Sequence, residues 1–451
     1  MRLIKAAVIF LLTLAAIAGF APGDAGNPGQ VTRFALAFSM SEGRLDIDQF
    51  RDLTVDIARF EGHYYADKPP GLSLLAVPAV ALGRVVMGIP PGTWPLTREQ
   101  TWALTKIAIM ASVGLLAALA AAVFYLLVRR LGASDGAALF ATCGLALGTP
   151  FLNWSTTIFP HAATGSILLL GLALILWSRG RPSWWVAPGL GLMLGYGLVI
   201  DLTAAPAVAL VGLYYLFGER DRFWQRAIGA TLGGLVGLMP LFVYNAMVFH
   251  SPFKLGYSEV VGFAGMKVGL FGLTWPDPLV IWEILFGLRR GLLPLSPLLL
   301  LLPLGWWAMW KRPQLRGVLG VSLGIATCFV LVNASYYYWD GGSSTGPRHI
   351  VAILPVLLIA LGFAWPRGLL GRTAALALLA ISLFFSAATP AIEQFAPAGE
   401  AFPLWHPILS GIFSGGGLEG LTKMLLPWAG FAILPLLRER GAAGRASQPP
   451  E

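Results

Sequence analysis

Charged residues are scarce in this sequence. They make up 12% of its 451 residues, against about 25% in an average soluble domain. That deficit leaves too little polar surface to cover a water-soluble globule of this length, so lipid must solvate much of the chain. Cysteine is nearly absent. Cys143 and Cys328 both lie inside apolar runs, which excludes a disulfide scaffold and a thiolate metal centre. No Cys/His cluster offers metal ligands. Strict polar/apolar alternation is missing too, which argues against a membrane β-barrel. Neither an internal repeat nor an inverted pair of broken spans of the transporter kind is evident.

What the chain has instead is apolar length, with 57% hydrophobic residues. Apolar runs cover residues 4–20, 101–128, 136–150, 161–177, 184–200, 202–217, 228–249, 292–310, 318–335, 350–365, 374–389 and 424–437. About 20 such residues span a bilayer as a helix, and in lipid only helices pair their own backbone groups. The expectation is an all-α membrane protein with about 12 transmembrane helices and an extracytoplasmic cap of loops and interfacial helices. The first run, behind Arg2 and Lys5, is taken as a retained helix rather than a cleaved signal.

Basic residues flank alternate turns: Arg129/Arg130, Arg179/Arg181, Arg220/Arg222/Arg226, Lys311/Arg312/Arg316 and Arg367/Arg372. The turns at 153–160 and around Asp201 carry none. This positive-inside pattern accounts for the net charge of +9 without a nucleic-acid partner. It predicts one polytopic domain over 1–437 in a bacterial-type inner membrane, with both termini cytoplasmic and a tail at 438–451. The outer segments are then 21–68, 250–291 and 390–423, with an interfacial helix at 69–88.

The segment 21–68 holds eight of the 22 acids, namely Asp24, Glu42, Asp46, Asp48, Asp52, Asp56, Glu61 and Asp67. Orientation does not need them. They lead into Tyr64-Tyr65-Ala66-Asp67-Lys68-Pro69-Pro70-Gly71, where Lys68 reaches the level of a lipid head group. An ammonium there can pair with a phosphate, and a neighbouring carboxylate can take a proton from an incoming hydroxyl. A solvated loop with an interfacial lysine anchor is the plainer account. A second constellation runs from Tyr336 to His349. Its glycines and hydroxyls suit an anion, Arg348 can grip a phosphate, and Asp340 can hold Arg348 or contact sugar hydroxyls. An aromatic belt and an ordinary turn would look similar. His161 opens a span on the same side, as ligand or structural residue. The outward pair Arg289-Arg290 suggests an anionic ligand or lipid.

The Tyr64–Gly71 stretch, with Phe159-Pro160-His161 and Gly346-Pro347-Arg348-His349, resembles the GT-C superfamily of polytopic glycosyltransferases. The group with aminoarabinose transferases and protein O-mannosyltransferases is most similar, over a layout from about residue 1 to 365. The resemblance implies transfer of a sugar from a polyprenyl-phosphate donor to an acceptor hydroxyl or amine at the outer face, with inversion. It implies that Lys68 contacts the donor phosphate, with Arg348 and His349 helping. Tyr64, Tyr65, Asp67, His161 and Asp340 are then expected to bind substrate. Many members carry an Asp-Glu doublet after the first span, and here none exists. Asp56, then Asp48, then Asp24 are the candidates for the catalytic acid. No cofactor is implied outright; a divalent cation at the phosphate, held by the acidic loop, stays open. The acceptor is a lipid, glycan or protein. The alternative is a transporter or flippase for an anionic or sugar-bearing lipid. It fits less well, because the middles of the spans are nearly free of ionisable residues.

Overall fold

The computed structural model describes residues 1–22, 26–180, 183–218, 222–415 and 417–437. Asp24, Arg181, Arg220 and the 438–451 tail lie outside the described residues. Among the described residues, six helices are long and apolar enough to cross a membrane: Arg2–Phe20 (α1), Arg98–Arg130, Pro160–Ser178, Phe223–Phe249, Pro313–Ala334 and Leu369–Ile392. Shorter apolar helices carry the other runs, among them Asp135–Leu147, Val186–Ile200 and Pro297–Trp310. Proline sets some of the shorter lengths, because it removes a backbone donor and crowds the preceding turn. Pro297 and Pro303 both sit inside the last of these. The chain is thus an all-α membrane protein, and its outward faces are apolar. Helix Phe223–Phe249 leaves Ile228, Leu232, Val236 and Met239 exposed, a surface that suits lipid rather than water.

At one end of the bundle, Lys5 at the start of α1 bonds Asp135 at 2.5 Å, and Tyr125 Oη donates to the same carboxylate at 2.6 Å. At the other end lies the cap. The stretch after α1, expected as a polar loop, is folded. Asn27 accepts from the Gly29 amide at 3.0 Å and Pro28 opens the helix Pro28–Met40 (α2), a favoured start. Phe34 and Phe38 of α2 pack with Phe50 and form a small aromatic core. A two-stranded hairpin follows, Ile57–Phe60 (β1) and His63–Ala66 (β2), paired antiparallel with Ile57 opposite Ala66. Glu61 and Gly62 turn it with positive φ, 49° and 89°, as a two-residue hairpin turn requires. The hairpin delivers Lys68, Pro69 and Pro70 to the helix Gly71–Val86 (α3). That helix buries Arg84 against Glu42 at 2.9 Å and exposes Leu82, Val85 and Val86.

Segments from later in the chain lock onto this cap. Val261 N–H donates to the Ile57 carbonyl at 3.0 Å, and Tyr337 N–H to that of Gly272 at 2.9 Å. Ser344 N–H reaches the Ala396 carbonyl at 2.9 Å, and Gln394 Nε2 the Asn153 carbonyl at 2.8 Å. The segment 390–423, expected as an outer loop, departs from expectation. Its preceding helix runs on to Ile392, through Pro390, and an apolar helix occupies Leu404–Phe413.

The position of Lys68 depends on how closely α3 approaches its neighbour. A Cβ on Gly71 would lie 2.5 Å from the Val199 carbonyl oxygen, and Tyr196 Oη donates to the Gly71 carbonyl at 2.8 Å. Gly71→Ala must push α3 away from helix Val186–Ile200, an overpacking cost of about 1–3 kcal/mol. The expected outcome is a lower thermal midpoint in detergent, whereas Gly88→Ala, with open space around its Cβ but positive φ, serves as the comparison for backbone strain alone.

Candidate active site

Lys68 leaves β2 at the rim of the bundle with its ammonium between two carboxylates. Asp67 Oδ2 lies 2.6 Å from Nζ and Asp56 Oδ2 lies 3.8 Å away. Asp67 is buried, and its other oxygen has no partner. Burial raises the pKa of Asp67 against the pull of Lys68. Burial also works against the charge on Lys68, yet Asp67, Asp56 and Tyr257 together raise its pKa above lysine's ordinary 10.5. Lys68 is therefore a fixed cation at neutral pH. Tyr257, from the segment 250–291, covers it, with Nζ 5.8 Å from the ring centroid.

Asp56 connects this group to a second one through Gly29. A Cβ on Gly29 would fall 2.9 Å from the Phe159 ring and 3.1 Å from Asp56 Oδ2, so ring and carboxylate both press on α2 at that point. Two guanidiniums rest on Phe159: Arg33 and Arg348, each 5.1 Å from its centroid. Arg33 is buried in α2 and donates to the Gly29 carbonyl at 2.5 Å. Arg348 has no ion pair among the described residues, and its Nε lacks a partner. His161 stacks near Phe159 at 5.9 Å, and its ring meets His349 edge-on at 5.3 Å. Both imidazoles leave Nε2 unpartnered. Buried polar atoms are normally satisfied, and these three are not.

The structure therefore brings together Asp56, Asp67, Lys68, His161, Arg348 and His349 of the residues singled out in the sequence. Asp48 lies apart. Its two oxygens take the His63 ring at 2.6 Å and the Tyr64 amide at 2.6 Å, so it stitches the hairpin. Tyr64 stacks with Arg59, and Tyr65 packs on Phe249. Asp340 does not hold Arg348; it pairs with Arg289 and accepts from the Gly342 amide at 3.0 Å. Arg290 is fully buried and binds the Asp340 and Gly342 carbonyls at 3.0 and 2.8 Å. Arg289 and Arg290 thus brace this loop. The loop's amides do not face an anion either. Those of Gly341, Gly342, Ser344 and Thr345 bond within the protein, and the glycines serve the turn through positive φ at Gly341, Gly342 and Gly346. No three His, Cys, Asp or Glu side chains gather as metal ligands among the described residues.

Arg33 is the member that sequence reasoning missed. Its signal was present: it is the single charged residue of Pro28–Met40, and an arginine alone among apolar neighbours asks for a partner. Tyr257 carried no such signal.

At one end of the membrane-crossing helices, the connecting segments thus clasp a lysine, two carboxylates and two arginines. No protein-family model and no curated protein matches the sequence. Among solved structures the chain is similar to ArnT from Cupriavidus metallidurans bound to undecaprenyl phosphate, at 16% identity and a TM-score of 0.54. That likeness covers 96% of this chain and 76% of that one. The apo state of the same enzyme gives 15% identity and a TM-score of 0.52 over the same shares. ArnT is an aminoarabinose transferase of the GT-C family, and this chain has its fold.

The hairpin role of Asp48 gives a pH test. The hydrogen bond to Asp48 and its charge raise the pKa of His63 above 6.5. A raised histidine contributes stability that is full below the unfolded value and lost as pH rises through the folded one. The thermal midpoint of His63→Ala should fall below that of the unaltered protein at acid pH, and the gap should close as pH rises past the raised value. A gap independent of pH would contradict the ion pair.

Proposed function

We propose that the chain is a glycosyltransferase that moves a sugar from a polyprenyl phosphate to an acceptor hydroxyl or amine at the outer face of a bacterial inner membrane. The observation that carries this is Lys68, a fixed cation at the rim of the bundle with Asp56 3.8 Å away. ArnT, which shares the fold, binds undecaprenyl phosphate. The donor phosphate would take the Lys68 ammonium and the unpaired Arg348 guanidinium. Lys68 then turns from Asp56 to the phosphate, and the freed carboxylate faces the acceptor. Asp56 takes the acceptor's proton as its oxygen or nitrogen attacks the anomeric carbon from the side opposite the phosphate. The bond from that carbon to the phosphate oxygen breaks, and its electron pair leaves on the phosphate. Configuration inverts. A phosphate monoester has its second pKa near 6, so this leaving group needs cations more than an acid. Asp67 holds Lys68 in place throughout. The flippase alternative gains no observation, since Asp56, Asp67, Lys68, His161, Arg348 and His349 gather at the cap end of the bundle.

The test is sugar transfer by purified protein from a panel of labelled polyprenyl-phosphate sugars. Removing Lys68 alone would strand the Asp67 carboxylate, a buried charge whose loss of partner costs about 3–5 kcal/mol. The variant of choice is therefore Lys68→Met with Asp67→Asn, beside Asp56→Asn. Asp56→Asn should lower kcat by roughly 100-fold or more, the usual worth of a general base, with donor binding retained. The double variant should lose donor binding. No turnover with any donor, together with lipid movement between vesicle leaflets, would favour the flippase.

A further inference from the structure

The end of the bundle opposite the cap carries cations that meet no carboxylate among the described residues. Phe363 marks the level. A Cβ on its neighbour Gly362 would lie 2.3 Å from Val128, one residue before Arg129, at the end where Lys5 meets Asp135. Arg312 rests on the Phe363 ring, 5.2 Å from its centroid. Lys311 Nζ lies 4.3 Å from the centroid of Trp307, and the Arg316 guanidinium 5.2 Å from that of Trp310. All three cations are exposed. The other basic residues of this corner are occupied. Lys5 and Arg129 share Asp135, Arg129 also donates to the Ala133 carbonyl at 2.5 Å, and Arg130 donates to that of Leu176 at 3.3 Å.

The rings beneath Lys311 and Arg316 end an apolar stripe. Helix Pro297–Trp310 turns Leu300, Leu304, Trp307 and Trp310 outward, the two tryptophans 62% and 55% exposed. Residues three and four apart share one helix face, so the stripe runs up to the cations. Helix Pro313–Ala334 begins at the same point without a side-chain cap, and its positive end adds to the charge. Orienting a span needs basic residues in a turn. It does not need them laid on exposed rings at the end of an outward stripe. Arg226, on another turn of this end, shows the contrast: it lies over Tyr215, which is buried.

We infer that this corner binds an anionic phospholipid, with the stripe from Leu300 to Trp310 against its acyl chains and Lys311, Arg312 and Arg316 on its phosphate. The charges are complementary: three cations without acidic partners meet a phosphodiester. An ammonium and two guanidiniums supply charge-assisted hydrogen bonds to phosphate oxygens. Exposed tryptophans sit well at the boundary between acyl chains and head groups. Basic groups at a membrane surface each add several-fold to the affinity for anionic lipid. The site lies at the opposite end from Lys68, and it does not depend on the transferase reading.

The test titrates the purified full chain in neutral detergent with phosphatidylglycerol, phosphatidylcholine of the same acyl chains, and inorganic phosphate. The readout is the thermal midpoint, which a ligand of the folded state raises. Phosphatidylglycerol should act at a concentration roughly tenfold or more below that of phosphatidylcholine, and inorganic phosphate at the same concentration should have no effect. Lys311→Gln with Arg316→Gln should weaken the response to phosphatidylglycerol roughly 30-fold. Arg98→Gln, which removes a cation stacked on Trp102 at the cap end, should leave the response unchanged. Added salt should shrink the advantage of phosphatidylglycerol in the unaltered chain, a readout that needs no variant to fold. Equal responses to the two lipids, a matching response to inorganic phosphate, an advantage indifferent to salt, or a double variant that responds as the unaltered chain does would each overturn the inference.

Discussion

One half-buried ammonium organises one end of this protein. Lys68 sits where the chain passes from a folded cap into the bundle, held by Asp67 at 2.6 Å and Asp56 at 3.8 Å. A charge in such a place is tolerable only with partners. Each feature of the neighbourhood follows from supplying them. The hairpin β1–β2 sets Asp56 and Asp67 on either end of its two strands, so that both carboxylates return to one point. Pro69 and Pro70 stiffen the link, and Gly71 lets α3 lie against the Val199 carbonyl. Tyr257 closes over the top from a segment almost two hundred residues further along.

The second tier of the site depends on the first. Phe159 and Asp56 meet at Gly29, and from there the ring supports two guanidiniums and an imidazole. Arg348 is free to act because Arg289 and Arg290 take Asp340 and the loop carbonyls instead. Polar atoms that a folded protein normally satisfies are left open at His161, His349 and Arg348. Stability and function are thereby separated in space: the arginine brace is saturated, and the residues it presents are not.

Much of this was legible in the sequence. The helices follow the hydrophobic runs because lipid leaves the backbone no other way to pair. Lys68, Arg348 and His161 stood out because polar groups at the ends of apolar runs converge on one face. Three matters were missed. Arg33 was hidden in what read as a polar loop, because the aromatic contacts of Phe34, Phe38 and Phe50 that fold α2 are tertiary. Asp48 stood next after Asp56 as the candidate acid; what sets it apart is tertiary, since Asp48 opens a short 3-10 helix and accepts from the Tyr64 amide while pairing with His63. The glycine loop looked like an anion cradle, since spacing alone does not reveal that its amides already have partners.

The central claim is that Lys68 exchanges its carboxylates for a lipid phosphate. An experimental structure of the chain with undecaprenyl phosphate tests it most directly. The account predicts the phosphate group in hydrogen-bond contact with Lys68 Nζ, within about 3 Å, with Asp56 released and Arg348 turned towards the same group. A phosphate bound elsewhere on the chain, with the Asp56–Lys68–Asp67 cluster undisturbed, would contradict it.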